Sequence, residues 1–167
     1  MSLPASGQAG TMRPAPVLVL AVGNPSRGDD AIGPELAARL ETAAPAGVEV
    51  IVEFQLQVEN ALDLVGRERV VFVDAGIATP VPFELRRASA AEDFLHTSHA
   101  LLPEAVLATY RRVQGQEPPE AWVLCVRGEA FDLGTGLSSA ASEHVAAAWA
   151  ALLELCDQSA PVATSRA

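Results

Sequence analysis

Cysteine, aromatic residues and positive charge are all scarce in this chain of 167 residues. Its two cysteines, Cys125 and Cys156, lie far apart, so we expect no disulfide framework and a reducing compartment, the cytoplasm. No apolar run approaches the roughly 20 residues that a membrane-spanning helix requires. These absences argue against a disulfide-stabilised secreted domain and against an integral membrane protein.

The shortage of positive charge bears on the possible partners. Eleven basic residues stand against 21 acidic ones, which gives a formal net charge of −10. Such a chain is repelled by nucleic acid and by anionic membranes, so neither is expected as a partner. A cation or a basic protein segment is compatible with this charge, which also favours solubility.

Length and composition predict one domain with a sizeable core. Half of the residues are hydrophobic, and only 5% are aromatic, so the core must consist mainly of Val, Leu and Ala. We expect a flexible leader over residues 1–14, a single α/β domain over 15–156 and a flexible tail over 157–167. The leader lacks a cationic segment followed by an apolar one, so it does not resemble a signal peptide.

Short apolar runs alternate with helical patterns along the chain. The predicted strands are 17–22, 48–52, 70–73, 83–87 and 121–127, and the predicted helices are 34–43, 58–65, 103–113 and 138–156. Ser138 is expected to cap the last helix, with Leu152 and Leu153 on its buried side. This alternation predicts a three-layer α/β/α sandwich around a twisted, mostly parallel five-stranded sheet. The segment 83–87 follows two prolines and carries charge, which is typical of an edge strand and makes it the candidate for antiparallel pairing in a mixed sheet.

The loop at 23–33 follows the first strand and carries unusual chemistry. Gly23 and Gly28 have the spacing of a phosphate-binding loop, but Asp29 and Asp30 stand where such a loop needs lysine and a hydroxyl. Two carboxylates repel a phosphate and attract a cation. The loop therefore favours a metal site or an acid–base role, with helix capping as the alternative for either aspartate.

A third acid, Asp74, comes directly after the predicted strand 70–73 and precedes small residues. The carboxyl ends of parallel strands meet at one edge of a sheet, so Asp74 is expected to face the same crevice as the loop at 23–33. The alternative is an aspartate that only forms a turn.

Two histidines, His96 and His99, follow in an irregular segment and add imidazole to the candidate site. Two carboxylates and one imidazole are a common ligand set for a divalent transition metal. Ser26 has no evident base beside it, and the sequence neighbours Ser98 and His99 do not make a dyad, because adjacent side chains usually diverge. A metal site or an aspartate-assisted attack by water therefore fits better than covalent catalysis.

Several segments together resemble the signature of the hydrogenase maturation proteases, over about residues 16–155. These segments are LVLAVGN at 18–24, GDDAIGP at 28–34, VFVDA at 71–75, TSHAL at 97–101, VRGE at 126–129 and GLS at 136–138. Proteases of that family trim the C-terminus of the large-subunit precursor of NiFe hydrogenases. The resemblance implies an aspartic-type endopeptidase on a phosphorylase/hydrolase-like α/β fold, with the large-subunit precursor as its partner.

The resemblance also implies a set of site residues. Carried over by position, the metal-contacting residues are Asp30, Asp74 and His99, and the two aspartates are the catalytic candidates. His96 lacks the matching context and is the substitute. Nickel would be carried by the precursor, although cadmium or zinc would also suit such a ligand set. We expect a monomer, because no coiled-coil pattern or long exposed apolar stripe is visible in the sequence.

Three alternatives come from other classes of protein. A self-contained metallohydrolase would keep its own ion. A non-proteolytic metal chaperone or assembly factor would bind the precursor without shortening it. A nucleoside- or phosphate-binding enzyme is disfavoured, because Asp29 and Asp30 stand where a lysine and a hydroxyl are needed.

Overall fold

The computed structural model describes residues 12–92 and 101–159 of the chain. In chain order the elements are β1 (Val17–Val22), a short 3-10 helix (Gly28–Ala31), α1 (Ile32–Ala43), β2 (Val48–Glu53), α2 (Asn60–Asp63), β3 (Arg69–Gly76), β4 (Phe83–Ala88), α3 (Pro103–Gln114), β5 (Glu120–Arg127) and α4 (Ser139–Cys156). Most of the expected leader (1–11) and most of the expected tail (160–167) lie outside the described residues. So do the predicted ligand His99 and its substitute His96.

The five strands form one mixed sheet in the order β2-β1-β3-β5-β4. All neighbouring pairs are parallel except β4 and β5, which pair antiparallel. The predicted sheet and its antiparallel edge strand are therefore confirmed. The charged side chains of Arg86 and Arg87 on β4 are exposed at this edge, where charge discourages pairing with another chain.

Helices cover both faces of the sheet, which confirms the three-layer architecture. On one face, α1 and α4 pack their leucines and valines on alternate residues of the central strands, such as Val71 and Val73 of β3. On the other face, α3 and the turn after α2 pack on the intervening residues, such as Phe72. Both cores are largely aliphatic, as the composition predicts.

Two local predictions were wrong, each for a physical reason. The helix predicted over 58–65 is the single turn of α2, because the buried Asn60 bonds the side chains of Glu53 and Asp63 and accepts from the backbone N–H of Gln57. Leu153, predicted on the buried side of α4, is 37% exposed. It follows the fully buried Leu152 and lies about 100° farther around the helix.

Within the described ranges, no helix is both long enough and apolar enough to cross a membrane. Cys125 and Cys156 are free thiols, as expected from their separation in the sequence.

Candidate functional site

The loop after β1 turns sharply at the edge of the sheet, and glycine makes this turn possible. Gly23 has φ +147° and donates its N–H to the backbone oxygen of Glu53 at the end of β2. A Cβ on Gly23 would lie 2.0 Å from the backbone oxygen of Asp30. Only glycine leaves room for the chain to fold back here, so this position brings Asp30 beside the end of β1.

A second close approach places the start of α1 against β1. A Cβ on Gly33 would lie 2.2 Å from the backbone oxygen of Val22, the last residue of the strand. The helix therefore begins in contact with the strand end, at Ile32 and two residues before Pro34, where the sequence predicted its start. Asp29 and Asp30 lie in the 3-10 helix that precedes α1.

Asp29 is fully buried, and its carboxylate accepts four hydrogen bonds. The donors are the backbone N–H groups of Glu129 (2.8 Å), Ala130 (2.9 Å) and Ser138 (2.7 Å), and the hydroxyl of Ser138 (2.8 Å). Burial alone would raise the pKa of Asp29, but these four bonds outweigh it and hold the pKa below its usual value. This aspartate connects the loop after β1 to the loop after β5.

The predicted alternatives for Asp29 and Asp30 are resolved by this geometry. Neither aspartate caps α1, since Ala31 is the cap residue and no side chain bonds the first turn. Asp29 does not face the crevice as a ligand, because both of its oxygens are occupied by hydrogen bonds. The predicted cap of α4 is confirmed, since Ser138 accepts from the backbone N–H of Ala141 at 3.1 Å.

Asp30 is only partly buried, and one of its oxygens is held by the backbone. Its Oδ2 accepts from the backbone N–H of Asn24 at 2.8 Å, while Asn24 in turn accepts from the N–H of Ser26 at 2.9 Å. Within the described residues the other oxygen of Asp30 has no hydrogen bond. The carboxylate is thus oriented through one oxygen, and its other oxygen has no partner among the described residues.

Asp74 has the same arrangement on the neighbouring strand. It lies inside β3, two residues before the strand ends, and its Oδ1 accepts from the backbone N–H of Ala75 at 2.7 Å. Burial raises the pKa of Asp74 to about 6; the Ala75 bond opposes this rise and the negative charge of Asp30 adds to it. The 3-10 helix that carries Asp30 packs against β3, which carries Asp74, so the two aspartates stand at the same edge of the sheet.

Two carboxylates alone do not complete a metal site. Among the described residues, no group of three or more His, Cys, Asp or Glu side chains is arranged to hold an ion. Because an ion placed between Asp30 and Asp74 would relieve their repulsion, the pair does suit a cation. A third protein ligand would have to come from beyond the described ranges.

The sequence patterns did not single out two residues beside Asp74. Thr79, in the turn after β3, lies with its hydroxyl 2.9 Å from the sulfur of Cys125, which faces Asp74 across β3 and β5. Arg127 ends β5 and donates from Nη1 to the backbone oxygen of Thr79 at 2.9 Å. No spacing rule predicts these contacts, because they depend on how the turn after β3 folds over β5.

Replacing Asp29 by Asn should destabilise the fold by about 2–4 kcal/mol at pH 7. The NH2 group of the asparagine side chain would face N–H and O–H donors that now bind a carboxylate oxygen, so those donors would lose their acceptor. Chemical denaturation measures this loss. Asp132→Asn, at an exposed acid of the same 128–138 loop, is the matched control and should change stability by less than about 0.5 kcal/mol. The pKa of Asp29 is lower in the folded protein than in the unfolded chain, where it is 3.8. The extra stability of the wild type over the variant is therefore fully present above pH 3.8 and is lost as the pH falls through the folded pKa. A difference that does not depend on pH would contradict the charge-assisted role.

Replacing Asp74 by Asn should have the opposite effect on stability. The folded pKa of about 6 exceeds the unfolded 3.8, so ionised Asp74 weakens the fold as the pH rises through this interval. Asp74→Asn should therefore be more stable than wild type by on the order of 2 kcal/mol at pH 7.5, and equal to it near pH 3.5. Denaturation curves at both pH values decide the matter, and a variant that is less stable at pH 7.5 would contradict the burial of this charge.

Comparisons with known proteins place this fold among solved structures. No protein-family model and no curated protein matches the sequence. The chain is similar to the hydrogenase maturating endopeptidase HybD from E. coli, with 23% identity, TM-score 0.64 and coverage of 82% of this chain and 89% of that one. The solution structure of an endopeptidase from E. coli has 24% identity and TM-score 0.66, with coverage of 86% of this chain and 93% of that one. The NiFe hydrogenase maturation protease HycI from Thermococcus kodakarensis KOD1 has 20% identity and TM-score 0.64, with coverage of 84% of this chain and 92% of that one. The fold of this chain is therefore the one found in hydrogenase maturation endopeptidases.

Proposed function

We propose that this chain is an endopeptidase that removes a C-terminal peptide from the nickel-loaded large-subunit precursor of a NiFe hydrogenase. The observation that carries the proposal is the pairing of Asp30 and Asp74 at the carboxyl edge of the sheet, each with one oxygen held by a backbone N–H and the other without a bond within the described residues. The fold shared with maturation endopeptidases supports the same activity.

Nickel enters this proposal as part of the substrate. An ion already held by precursor thiolates has open coordination positions, and carboxylate oxygens with an imidazole can complete its shell. Asp30 and Asp74 are the proposed carboxylate ligands. His99, assigned by the sequence resemblance, is the proposed imidazole. Since the two carboxylates repel one another without a cation, productive docking would favour the loaded precursor over the empty one.

The proposed reaction is hydrolysis without a covalent intermediate. Water attacks the scissile carbonyl carbon, its proton passes to a carboxylate, and that proton is then delivered to the leaving amine. Asp74 is the better proton acceptor of the pair, because burial raises its pKa to about 6, near neutral pH. Asp30 both raises that pKa and binds the ion, which makes the activity aspartic in type and dependent on nickel.

Exchanging either aspartate for its amide tests these roles. Asp30→Asn and Asp74→Asn should each lower the cleavage rate at least about 100-fold, since each removes a charge at the reacting centre. The readout is the intact mass of a large-subunit precursor, with and without nickel, before and after incubation. Glu35→Gln, at a surface acid of α1 paired with Arg39, is the matched control and should retain full activity.

Each outcome of this experiment identifies a different function. Trimming of the loaded precursor alone supports both the protease and its dependence on nickel. Trimming without nickel retains the protease and rejects that dependence. Binding without trimming indicates an assembly factor, and a tightly bound metal in the purified protein indicates a self-contained metallohydrolase.

A further inference from the structure

The connection from β2 to β3 displays apolar side chains to solvent. Among the described residues, five of the twelve exposed large hydrophobic side chains belong to β2 and this connection: Val52, Phe54, Val58, Leu62 and Val65. The outer side of a surface segment in a globular domain is ordinarily polar. Exposed apolar side chains that are scattered singly need no explanation, but a group of them marks an interaction surface.

The same segment buries a polar residue, so its pattern is inverted. Asn60 is 3% exposed, whereas Leu62, two residues later, is 60% exposed. The side chain of Asn60 donates to the carboxylates of Glu53 and Asp63 and accepts from the backbone N–H of Gln57 at 2.8 Å. These bonds fasten the segment to the end of β2, so the apolar side chains are presented from a held backbone.

Three of these residues, Phe54, Val58 and Leu62, form what we call the apolar surface. Phe54 directly follows β2 and is 71% exposed. The N–H of Ala61 donates to the backbone oxygen of Val58 at 3.1 Å, so Val58 lies in the turn that leads into α2. Leu62 is four residues further on and lies on the same side of this turn. The opposite side, which includes the fully buried Leu64, packs on the sheet.

The apolar surface begins beside the proposed catalytic pair. The N–H of Gly23 donates to the backbone oxygen of Glu53 at 2.9 Å, and Gly23 also lies against the backbone of Asp30. Phe54 is the residue after Glu53. Only β1 separates β2 from β3, which carries Asp74, so two strand spacings, about 10 Å, lie between these strands. A protein whose cleavage site reaches Asp74 therefore brings its adjoining surface within reach of Phe54.

The charges along this part of the chain favour one kind of partner. Between Arg39 and Arg67 the chain has five acidic residues and no basic one, and Glu59, between Val58 and α2, is exposed. A second copy of this chain, with its net charge of −10, would bring like charges together at this surface. A different protein that presents an apolar patch bordered by basic residues satisfies both the apolar side chains and the acids.

We propose that Phe54, Val58 and Leu62 dock the body of the large-subunit precursor, which is the part outside the removed peptide, through an apolar patch bordered by basic residues. The inference rests on the proposed function and adds a contact region away from the reacting atoms. Such a region binds the precursor equally before and during cleavage, so it lowers KM without changing kcat. Phe54 should contribute most, because aromatic anchors dominate the energies of protein interfaces.

Kinetics of the full-length protein on the nickel-loaded precursor test this assignment. Phe54→Ser and Leu62→Ser should each raise KM about tenfold or more and change kcat less than about threefold. Leu62→Met keeps an apolar side chain and should stay within about threefold of the wild type. Val113→Ser is the matched control, because Val113 is 61% exposed near the end of α3, the helix that leads to the opposite edge of the sheet. It should leave both constants unchanged.

A precursor that ends before the removed peptide separates docking of the body from binding of the peptide. The wild type should bind this truncated precursor, and the double variant Phe54→Ser/Leu62→Ser should bind it at least about tenfold more weakly. Equal binding by both proteins, or no binding of the truncated precursor by the wild type, would overturn the proposal.

Thermal unfolding and sedimentation keep the test decisive. A fall of kcat with unchanged KM, or a loss of activity that parallels a loss of folded protein, would overturn the docking role. Self-association of the wild type that the double variant abolishes would assign the surface to a second copy and also overturn it. If the wild type binds the full precursor without cutting it, the proposed protease fails, and a Kd at least tenfold weaker for the double variant still supports docking.

Discussion

The buried carboxylate of Asp29 is the interaction on which the carboxyl edge of the sheet depends. Its four hydrogen bonds connect the loop after β1 to the loop after β5 and to the cap of α4. Asp30 is the next residue, so the bonds that hold Asp29 also fix the backbone from which Asp30 reaches the crevice. The bonds also give an acceptor to three backbone N–H groups of the loop after β5.

Asp29 and Asp74 show opposite uses of the same side chain. Asp29 is surrounded by donors, so its charge stabilises the fold and its pKa is lowered. Asp74 is partly buried, and its loss of solvation, with a smaller contribution from the charge of Asp30, raises its pKa to about 6, so its charge weakens the fold. Groups that destabilise the folded state in this way concentrate at functional sites, where the local arrangement serves chemistry instead of stability. The contrast supports a structural role for Asp29 and a chemical role for Asp74.

Much of the fold was predictable because it follows from local patterns. Apolar runs of strand length, separated by helical periodicity, indicated a sheet covered on both faces, and the prolines and charges near β4 indicated its antiparallel edge. The meeting of Asp30 and Asp74 was also predictable, since parallel strands bring their carboxyl ends to one edge. The position of the Arg127 guanidinium was not predictable, because it depends on the turn after β3, where the backbone oxygen of Thr79 accepts from Nη1. The length of α2 was overpredicted, because the side-chain contacts of Asn60 take the place of further helical turns.

The sequence by itself determined the order of the elements and the position of the acidic loop at the carboxyl edge of the sheet. It also indicated the kind of chemistry that the loop favours. The family resemblance assigned Asp30 to the site, whereas the residue pattern alone left both adjacent aspartates open to a capping role or a site role. Only the tertiary structure showed that Asp29 is structural, and why. The donors that bind Asp29 lie 100 to 109 positions later in the chain, and they reach it only because the loops after β1 and β5 meet at the same edge.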